Sequence, residues 1–95
     1  MEEIVIGDIV ESLKGRDAGR AFLVAKTDGK YLYLTDGEYK KLANLKKKQR
    51  KHVKPLSTSL TIGEKLKSGR QVFDSEIYSA LKSYKVQDSK MKSED

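Results

Sequence analysis

Two Asp-Gly dipeptides, at 28–29 and 36–37, lie between segments in which apolar and polar residues alternate. Asp-Gly in this setting is the strongest short-range signal for a β-hairpin, because glycine readily adopts the positive φ that a tight turn requires. The predicted strands are GDIVESLK (7–14), AFLVAKT (21–27), KYLYLT (30–35), EYKKL (38–42) and HVKPL (52–56), with ANLKKKQRK (43–51) as a loop or single helical turn. Five such short strands predict a mainly β fold, a small SH3-like barrel that hides most strand edges.

The segment after Pro55 has a different composition and favours helices. Thr61 and Glu64 have the spacing of a capping box, which predicts a short helix over 62–67. Asp74 is a candidate N-cap for a second helix of about ten residues, which places Ile77, Ala80, Leu81 and Tyr84 on one face. A helix so short needs a docking surface on the barrel or on a partner. The expected organisation is a barrel over 1–56, a helical appendage over 57–86 and a disordered tail over 87–95.

The length and composition of the chain bound its class. With 95 residues there is room for one modest core, and the absence of cysteine excludes both disulfides and thiolate metal sites. The N-terminal MEEIVIGDIV is acidic, unlike a signal peptide, and no apolar run approaches the length of a membrane span. We therefore expect a cytoplasmic protein without membrane contact.

Residues suited to catalysis are missing at meaningful spacing. The sequence has no paired carboxylates, no serine with histidine and acid, and no phosphate-cradling glycine motif. Its one histidine, His52, has no second histidine as a partner and is expected neither to titrate in catalysis nor to bind metal. The sequence predicts a non-enzymatic protein without cofactor or metal.

The positive charge of the chain is concentrated in one stretch. Residues 38–56 carry eight basic residues and one acidic residue, a net charge of +7, whereas 1–37 carry −2 and 57–95 carry +1. Solubility alone does not require such a concentration, and a local positive field of this kind favours a polyanionic partner.

A second basic element lies in the loop LKGRDAGRAFLV, which contains two glycines and two arginines, each pair four residues apart. Gly15 and Gly19 are predicted to adopt positive φ and to bring backbone N–H groups close to a ligand. Arg16 and Arg20 offer planar forks that suit phosphate. Asp17 is expected to order the loop through its own backbone or to pair with one of these arginines.

Residues 7–35, GDIVESLKGRDAGRAFLVAKTDGKYLYLT, resemble the KOW motif, in which two strands and a glycine-containing loop form an RNA- or protein-contacting edge of an SH3-like barrel. With KKKQRKHVKPL and GEKLKSGRQVFDSEIYSALK included, the chain is similar over about 5–84 to small bacterial KOW-domain RNA-binding proteins and to a class of archaeal and eukaryotic large-subunit ribosomal proteins. The resemblance implies that Gly19 is the characteristic glycine of the motif. Many KOW loops carry lysine before that glycine, whereas this chain has Ala18, which shifts the expected RNA contact toward the basic stretch.

The sequence thus predicts an RNA-binding protein associated with rRNA or the ribosome. The expected RNA contacts are Gly15, Arg16, Gly19, Arg20, Lys40, Lys41, Lys46, Lys47, Lys48, Arg50, Lys51, His52 and Lys54. Tyr31, Tyr33 and Tyr39 either stack bases or cover the barrel and receive the helix. The alternative is a protein-interaction adaptor of the translation or transcription machinery, with a protein partner on the C-terminal helix. A DNA-binding barrel is less favoured, because no predicted helix has a basic face for the major groove.

Overall fold

The computed structural model describes the backbone of residues 3–93 and the side chains of residues 3–84. Five antiparallel strands form one sheet: β1 (Asp8–Ser12), β2 (Ala21–Asp28), β3 (Tyr31–Thr35), β4 (Lys46–Gln49) and β5 (Val53–Thr58), in the order β4-β3-β2-β1-β5. A 3-10 turn (Arg50–His52) connects β4 to β5, and two helices follow, α1 (Leu60–Lys67) and α2 (Asp74–Ser93). The mainly β prediction with a C-terminal helical part is confirmed.

The first three predicted strands and the fifth are confirmed, as is the hairpin turn at Asp28-Gly29, where Gly29 has a φ of 58°. Pro55 lies in β5, at the edge of the sheet, and the β1–β5 register shifts between Ile9 and Val10 beside it. An edge strand and an irregular register are the places where a sheet tolerates proline, which donates no hydrogen bond.

The fourth strand was predicted in the wrong place. Residues 38–42 form bends and turns, because the Asp36 carboxylate accepts the backbone N–H groups of Glu38 and Lys40 at 2.9 and 2.8 Å. These hydrogen bonds use groups that a strand ladder would need. β4 is instead the lysine-rich Lys46–Gln49, which we predicted as loop or helical turn, and only Arg50–His52 forms a short turn. Lysines suit an edge strand, and β4 takes its register from β3 rather than from apolar residues of its own.

The inner face of the sheet holds one of two buried clusters. Its members come from four strands: Val10, Phe22, Val24, Leu32, Leu34 and Val53. Val53 belongs to one edge strand, whereas Leu32 and Leu34 lie on the opposite side of the sheet, next to β4. The sheet must therefore curl strongly to bring them together. Among the described residues no ladder joins β4 to β5, so the sheet is open.

The outer face of the sheet is covered over part of its area by the two helices. Ile9 and Leu23 pack there against Ile62 of α1 and against Ile77 and Leu81 of α2. The predicted face of the second helix is thus confirmed, with Ile77 and Leu81 fully buried and Ala80 and Tyr84 at the margin. The helix α2 therefore packs on the sheet of the same chain.

Close backbone contacts fix both helices. Gly63 of α1 is buried against the chain before β1, and a Cβ on Gly7 would lie 2.7 Å from the Gly63 Cα. Gly37 (φ 75°) packs under the first turn of α2, where a Cβ would overlap Asp74 O and lie 2.7 Å from Tyr78 N. Glycine is required at positions 7 and 37 because a Cβ would overlap the backbone of the neighbouring helix.

The helix ends differ from the sequence prediction. α1 begins two residues earlier than expected, since Ser59 rather than Thr61 is its N-cap and accepts the N–H of Ile62 at 3.4 Å. The Asp74 carboxylate accepts the N–H of Leu42 at 2.8 Å, so it anchors the chain before β4 instead of capping α2.

The backbone of α2 continues to Ser93, through 87–93, where we predicted no regular structure. These residues include neither glycine nor proline, so nothing local ends a helix once it is nucleated. Residues 94–95 lie outside the described part of the chain, and the division into domains stays a prediction. In the described residues no helix has the combined length and apolarity that crossing a membrane requires.

Candidate nucleic-acid interface

The β1–β2 loop over 13–20 is ordered by its own backbone. Gly15 and Gly19 have φ values of 88° and 90°, which confirms the predicted conformation. Gly19 N–H donates to Ser12 O at 2.8 Å, and Arg20 N–H donates to Asp17 O at 3.0 Å. Two glycines are needed because the loop turns twice and folds back across the open side of the sheet.

Asp17 is the centre of a polar cluster that joins this loop to β4. Its Oδ1 accepts hydrogen bonds from Ser12 Oγ at 2.7 Å and from Lys48 Nζ at 2.8 Å. Its Oδ2 lies 3.3 Å from Lys46 Nζ, a contact that is close enough for an ion pair but not aligned as a hydrogen bond. Lys48 Nζ also donates to Lys14 O at 2.6 Å. The side-chain partners of Asp17 are therefore Ser12 and the two β4 lysines, so the alternative in which Asp17 pairs with Arg16 or Arg20 is wrong.

The Asp17 carboxyl is ionised at all ordinary pH values. Its burial raises the pKa, but hydrogen bonds from Lys48 and Ser12 and the nearby Lys46 ammonium group outweigh this effect and lower the pKa to about 2. The side chains of Lys48 and Asp17 are only 9% and 12% exposed. The cluster thus holds a buried negative charge between two ammonium groups, which leaves one excess positive charge at this point.

Arg20 is positioned by the loop that follows β3. Its guanidinium lies 3.7 Å from the buried Asp36 carboxylate and 4.5 Å from the centroid of the Tyr39 ring. Asp36 also accepts the Lys40 N–H, so this one carboxylate sets the positions of both Arg20 and Lys40. Tyr39 remains 66% exposed and presents much of its ring to solvent.

These contacts create a small pocket where the inner face opens to solvent, which we call the basic mouth. Its four cations are Arg16 and Arg20 of the loop, Lys40 and Lys46, and its other lining residues are Asp17, Phe22, Asp36 and Tyr39. The pocket has a volume of about 110 Å³. Cations from the two separated basic segments therefore meet at one place, as expected. No sequence pattern indicated that the carboxylates of Asp17 and Asp36 would lie among these cations.

A shallower depression adjoins the basic mouth at Lys46, and we call it the lysine groove. Its lining residues are Tyr31, Lys46, Lys47, Lys48, Gln49 and His52, and its volume is about 400 Å³. Partial burial and the charges of Lys14, Lys51 and Lys48 lower the pKa of His52 below 6.5. His52 therefore lies in a positive local field, which favours its neutral form.

Other predicted contacts have structural partners or lie elsewhere. Arg50 donates to Gly29 O and Ile4 O at 2.6 and 2.9 Å, which ties the 3-10 turn to the β2–β3 hairpin and to the N-terminal segment. Lys51 lies in a separate hollow with Arg50 and Ile4. Lys54 is 3.6 Å from Glu11 across the β1–β5 pair. Lys41 is exposed in the turn before β4.

The predicted tyrosines occupy two places. Tyr39 belongs to the basic mouth, whereas Tyr31 and Tyr33 lie on the outer face of the sheet, beyond the area that the helices cover. Lys47 Nζ lies 4.3 Å from the Tyr31 ring centroid, and Lys26 Nζ lies 5.6 Å from that of Tyr33. These two rings therefore do not receive the C-terminal helix.

Asp36 and Lys26 were missed as site residues by the sequence reasoning. Asp36 was assigned only to a hairpin turn, and its buried carboxylate could be foreseen only from the tertiary contact with Arg20. Lys26 was detectable, since it lies on β2 in register with Tyr33 across the Asp28-Gly29 hairpin. No protein-family model matches the chain, and no curated protein matches it.

Proposed function

We propose that this chain is a non-enzymatic RNA-binding protein, associated with rRNA or the ribosome. The observation that carries the proposal is the meeting of Arg16, Arg20, Lys40 and Lys46 at the basic mouth, beside the lysine groove. Ammonium and guanidinium groups at such a density attract phosphates and release their counterions when phosphates bind.

The carboxylates in the basic mouth reduce its charge without cancelling it. Asp17 is shared between Lys46 and Lys48, and Asp36 pairs with Arg20 at the long distance of 3.7 Å. Arg16 and Lys40 take part in none of the ion pairs found among the described residues. They are the cations we expect to contact phosphate most directly, with Arg20 joining through its planar fork.

The curled sheet supports the further proposal of an SH3-like barrel of the KOW type. A three-residue 3-10 turn connects the two edge strands, and the Asp17 loop lies across the opening between them. In this proposal side-chain contacts at Asp17 take the place of a closing ladder. The glycine loop then lies at the edge that contacts RNA.

The geometry favours recognition of RNA by shape and phosphate positions. The basic mouth is small, and most of its polar groups are cations, which contact phosphates without reading base identity. Folded RNA presents closely spaced phosphates, which a compact cationic surface can contact together.

Charge reversal at Arg16 and Lys40 tests this function. The variant Arg16→Glu/Lys40→Glu is compared with Lys67→Glu/Arg70→Glu, which makes the same change in net charge on α1 and just after it, outside the basic mouth. We expect the first variant to bind folded rRNA fragments at least about tenfold more weakly than the second, by fluorescence anisotropy at low salt. Equal affinities of the two variants would contradict the proposed site. Lys48 and Arg50 are unsuitable for this test, because their contacts hold the fold.

The adaptor function is the alternative outcome of the same titration. It places the partner on the barrel face and on the C-terminal helix, and the apolar residues Ile77 and Leu81 of that helix are buried against the sheet. An adaptor whose lysines only steer encounters with protein would show no salt-dependent RNA binding and would copurify with one protein.

A further inference from the structure

We propose that the exposed part of the outer sheet face stacks the unpaired bases of single-stranded RNA. This surface, the tyrosine platform, consists of Tyr31, Tyr33, Lys26 and Lys47. The proposal deepens the RNA-binding function and rests on it. It adds a second contact surface, on the opposite face of the sheet from the basic mouth, and a preference for RNA with an unpaired segment.

The register of the sheet places these four residues together. Tyr33 is opposite Lys26 on β2 and opposite Lys47 on β4. Tyr31 lies two residues from Tyr33 on β3, so both rings point to the same face, roughly 7 Å apart along the strand. Leu32 alternates with them and is buried on the inner face.

The rings are not needed to complete a core. The helices cover Ile9 and Leu23 on this face, and the cluster beneath the helices includes Tyr84 but neither Tyr31 nor Tyr33. Both rings are partly exposed. Aromatic rings at neighbouring positions of an open sheet provide flat surfaces on which successive bases can stack.

The two lysines give the platform its charge complementarity to RNA. In the free protein their ammonium groups lie over the rings, at 4.3 Å for Lys47 on Tyr31 and 5.6 Å for Lys26 on Tyr33. A base that stacks on a ring takes the place of the ammonium group, which then becomes available to an adjacent phosphate. Asp28 is the carboxylate in register with Tyr31, so the immediate surroundings keep a net positive charge.

The lysine groove supplies a path for the RNA backbone. Tyr31 and Lys47 belong both to the platform and to this groove, which continues through Lys46 to the basic mouth. A strand that leaves a folded RNA held at the basic mouth can therefore follow the lysines to the tyrosines. Duplex RNA cannot use the platform, because its bases are stacked within the helix.

The test measures binding of the full chain to two RNA probes by fluorescence anisotropy. One probe is an oligouridylate of about ten nucleotides, within the site size of such surfaces. The other is a blunt-ended RNA duplex. The variants are Tyr31→Leu/Tyr33→Leu and the aromatic Tyr31→Phe/Tyr33→Phe, and Tyr78→Leu on α2 is the matched control.

We expect the double leucine variant to bind oligouridylate at least about tenfold more weakly, since it removes both aromatic surfaces on which bases stack. The phenylalanine variant and the Tyr78 control should retain wild-type affinity, and duplex binding should be unchanged. Wild-type affinity of the double leucine variant for oligouridylate would overturn the platform. Failure of the wild-type protein to bind oligouridylate would also overturn the platform, whereas failure to bind folded rRNA fragments would overturn the RNA-binding function itself.

A second measurement covers the case in which the leucine variant does not fold. The chain has no tryptophan, so Tyr31→Trp introduces a single indole reporter into the platform. Stacking of uracil on this ring should quench its fluorescence as oligouridylate is added. Unchanged fluorescence on saturation would contradict the proposal.

Discussion

Lys48 Nζ lies 2.8 Å from Asp17 Oδ1, although the two residues are 31 positions apart in the chain. This contact connects the β1–β2 loop to the edge strand on the far side of the sheet, where no backbone ladder connects them. It also explains how two basic segments that are distant in sequence form one surface. A carboxylate between them offsets the repulsion that would otherwise keep their cations apart.

Lys48 is therefore expected to stabilise the fold, whereas its neighbour Lys47 is expected to bind RNA. Lys48→Met removes the hydrogen bonds to Asp17 and to Lys14 O and should lower the free energy of unfolding by about 2 kcal/mol. Lys47→Met, on the exposed outer face, should change it by less than about 0.5 kcal/mol. Denaturant unfolding of the two variants checks this, and equal stabilities would show that the Asp17 contact contributes nothing.

The stabilisation that the ionised Asp17 carboxylate contributes should decrease as the pH falls. Its folded-state pKa, about 2, lies below the ordinary 3.8, so the ionised carboxylate stabilises the fold above pH 3.8, and this contribution is lost as the pH falls toward 2. Asp17→Asn should accordingly melt at a lower temperature than the wild type at pH 7, and the difference should narrow between pH 3.8 and 2. Melting curves at several pH values measure this, and a constant difference across that range would be inconsistent with an ionised Asp17 in the fold.

Gly37 fixes the approach of α2 to the loop that carries Tyr39 and Lys40. A Cβ at this position overlaps Asp74 O, and the φ of 75° is unfavourable for any other L-residue. We expect Gly37→Ala to lower the melting temperature by about 10 °C or more, as a cost of about 2 kcal/mol does in a chain of this size. Gly29→Ala is the matched control, because Gly29 also has positive φ but no atom near its Cβ position. The two variants should differ clearly, and similar melting temperatures would mean that α2 does not pack as described.

His52 reports the local field of the lysine groove. Partial burial and the charges of Lys14, Lys51 and Lys48 hold its pKa below 6.5. Added salt screens those charges and should raise the pKa, and bound RNA phosphates should raise it further. Because His52 is the only histidine, a single NMR titration curve follows it. If the pKa of His52 responds to neither salt nor RNA, His52 does not lie in the positive field of the lysine groove.

Local patterns in the sequence were sufficient to predict strands β1, β2, β3 and β5 and the buried face of α2. Those elements follow from alternation, from the Asp28-Gly29 turn and from the spacing of Ile77 and Leu81. β4 was missed because KKKQ has no apolar periodicity, and it becomes a strand by pairing with β3. Equally, the hydrogen bonds of Asp36 that replace the expected strand over 38–42 depend on contacts formed by the folded chain.

For the candidate site, the residue types were predictable and their roles were not. The excess of lysine and arginine indicated which segments would form a cationic surface, and Arg16, Arg20, Lys40 and Lys46 do meet. Nothing in the sequence distinguished Lys48, which is buried beside Asp17, from Lys47, which lies on the outer face. That difference depends on the β3–β4 register, a tertiary property.

The salt dependence of RNA binding tests the central claim most directly. If about five cations of the basic mouth and lysine groove contact phosphates, log K for a folded rRNA fragment with an unpaired segment should fall against log salt with a slope of about −3.5 or steeper. Arg16→Ala/Lys40→Ala should make that slope shallower by about 1.4, while Lys67→Ala/Arg70→Ala leaves it unchanged. A flat dependence for the wild type, or the same slope in both double variants, would contradict the claim that these two basic segments form one phosphate-binding surface.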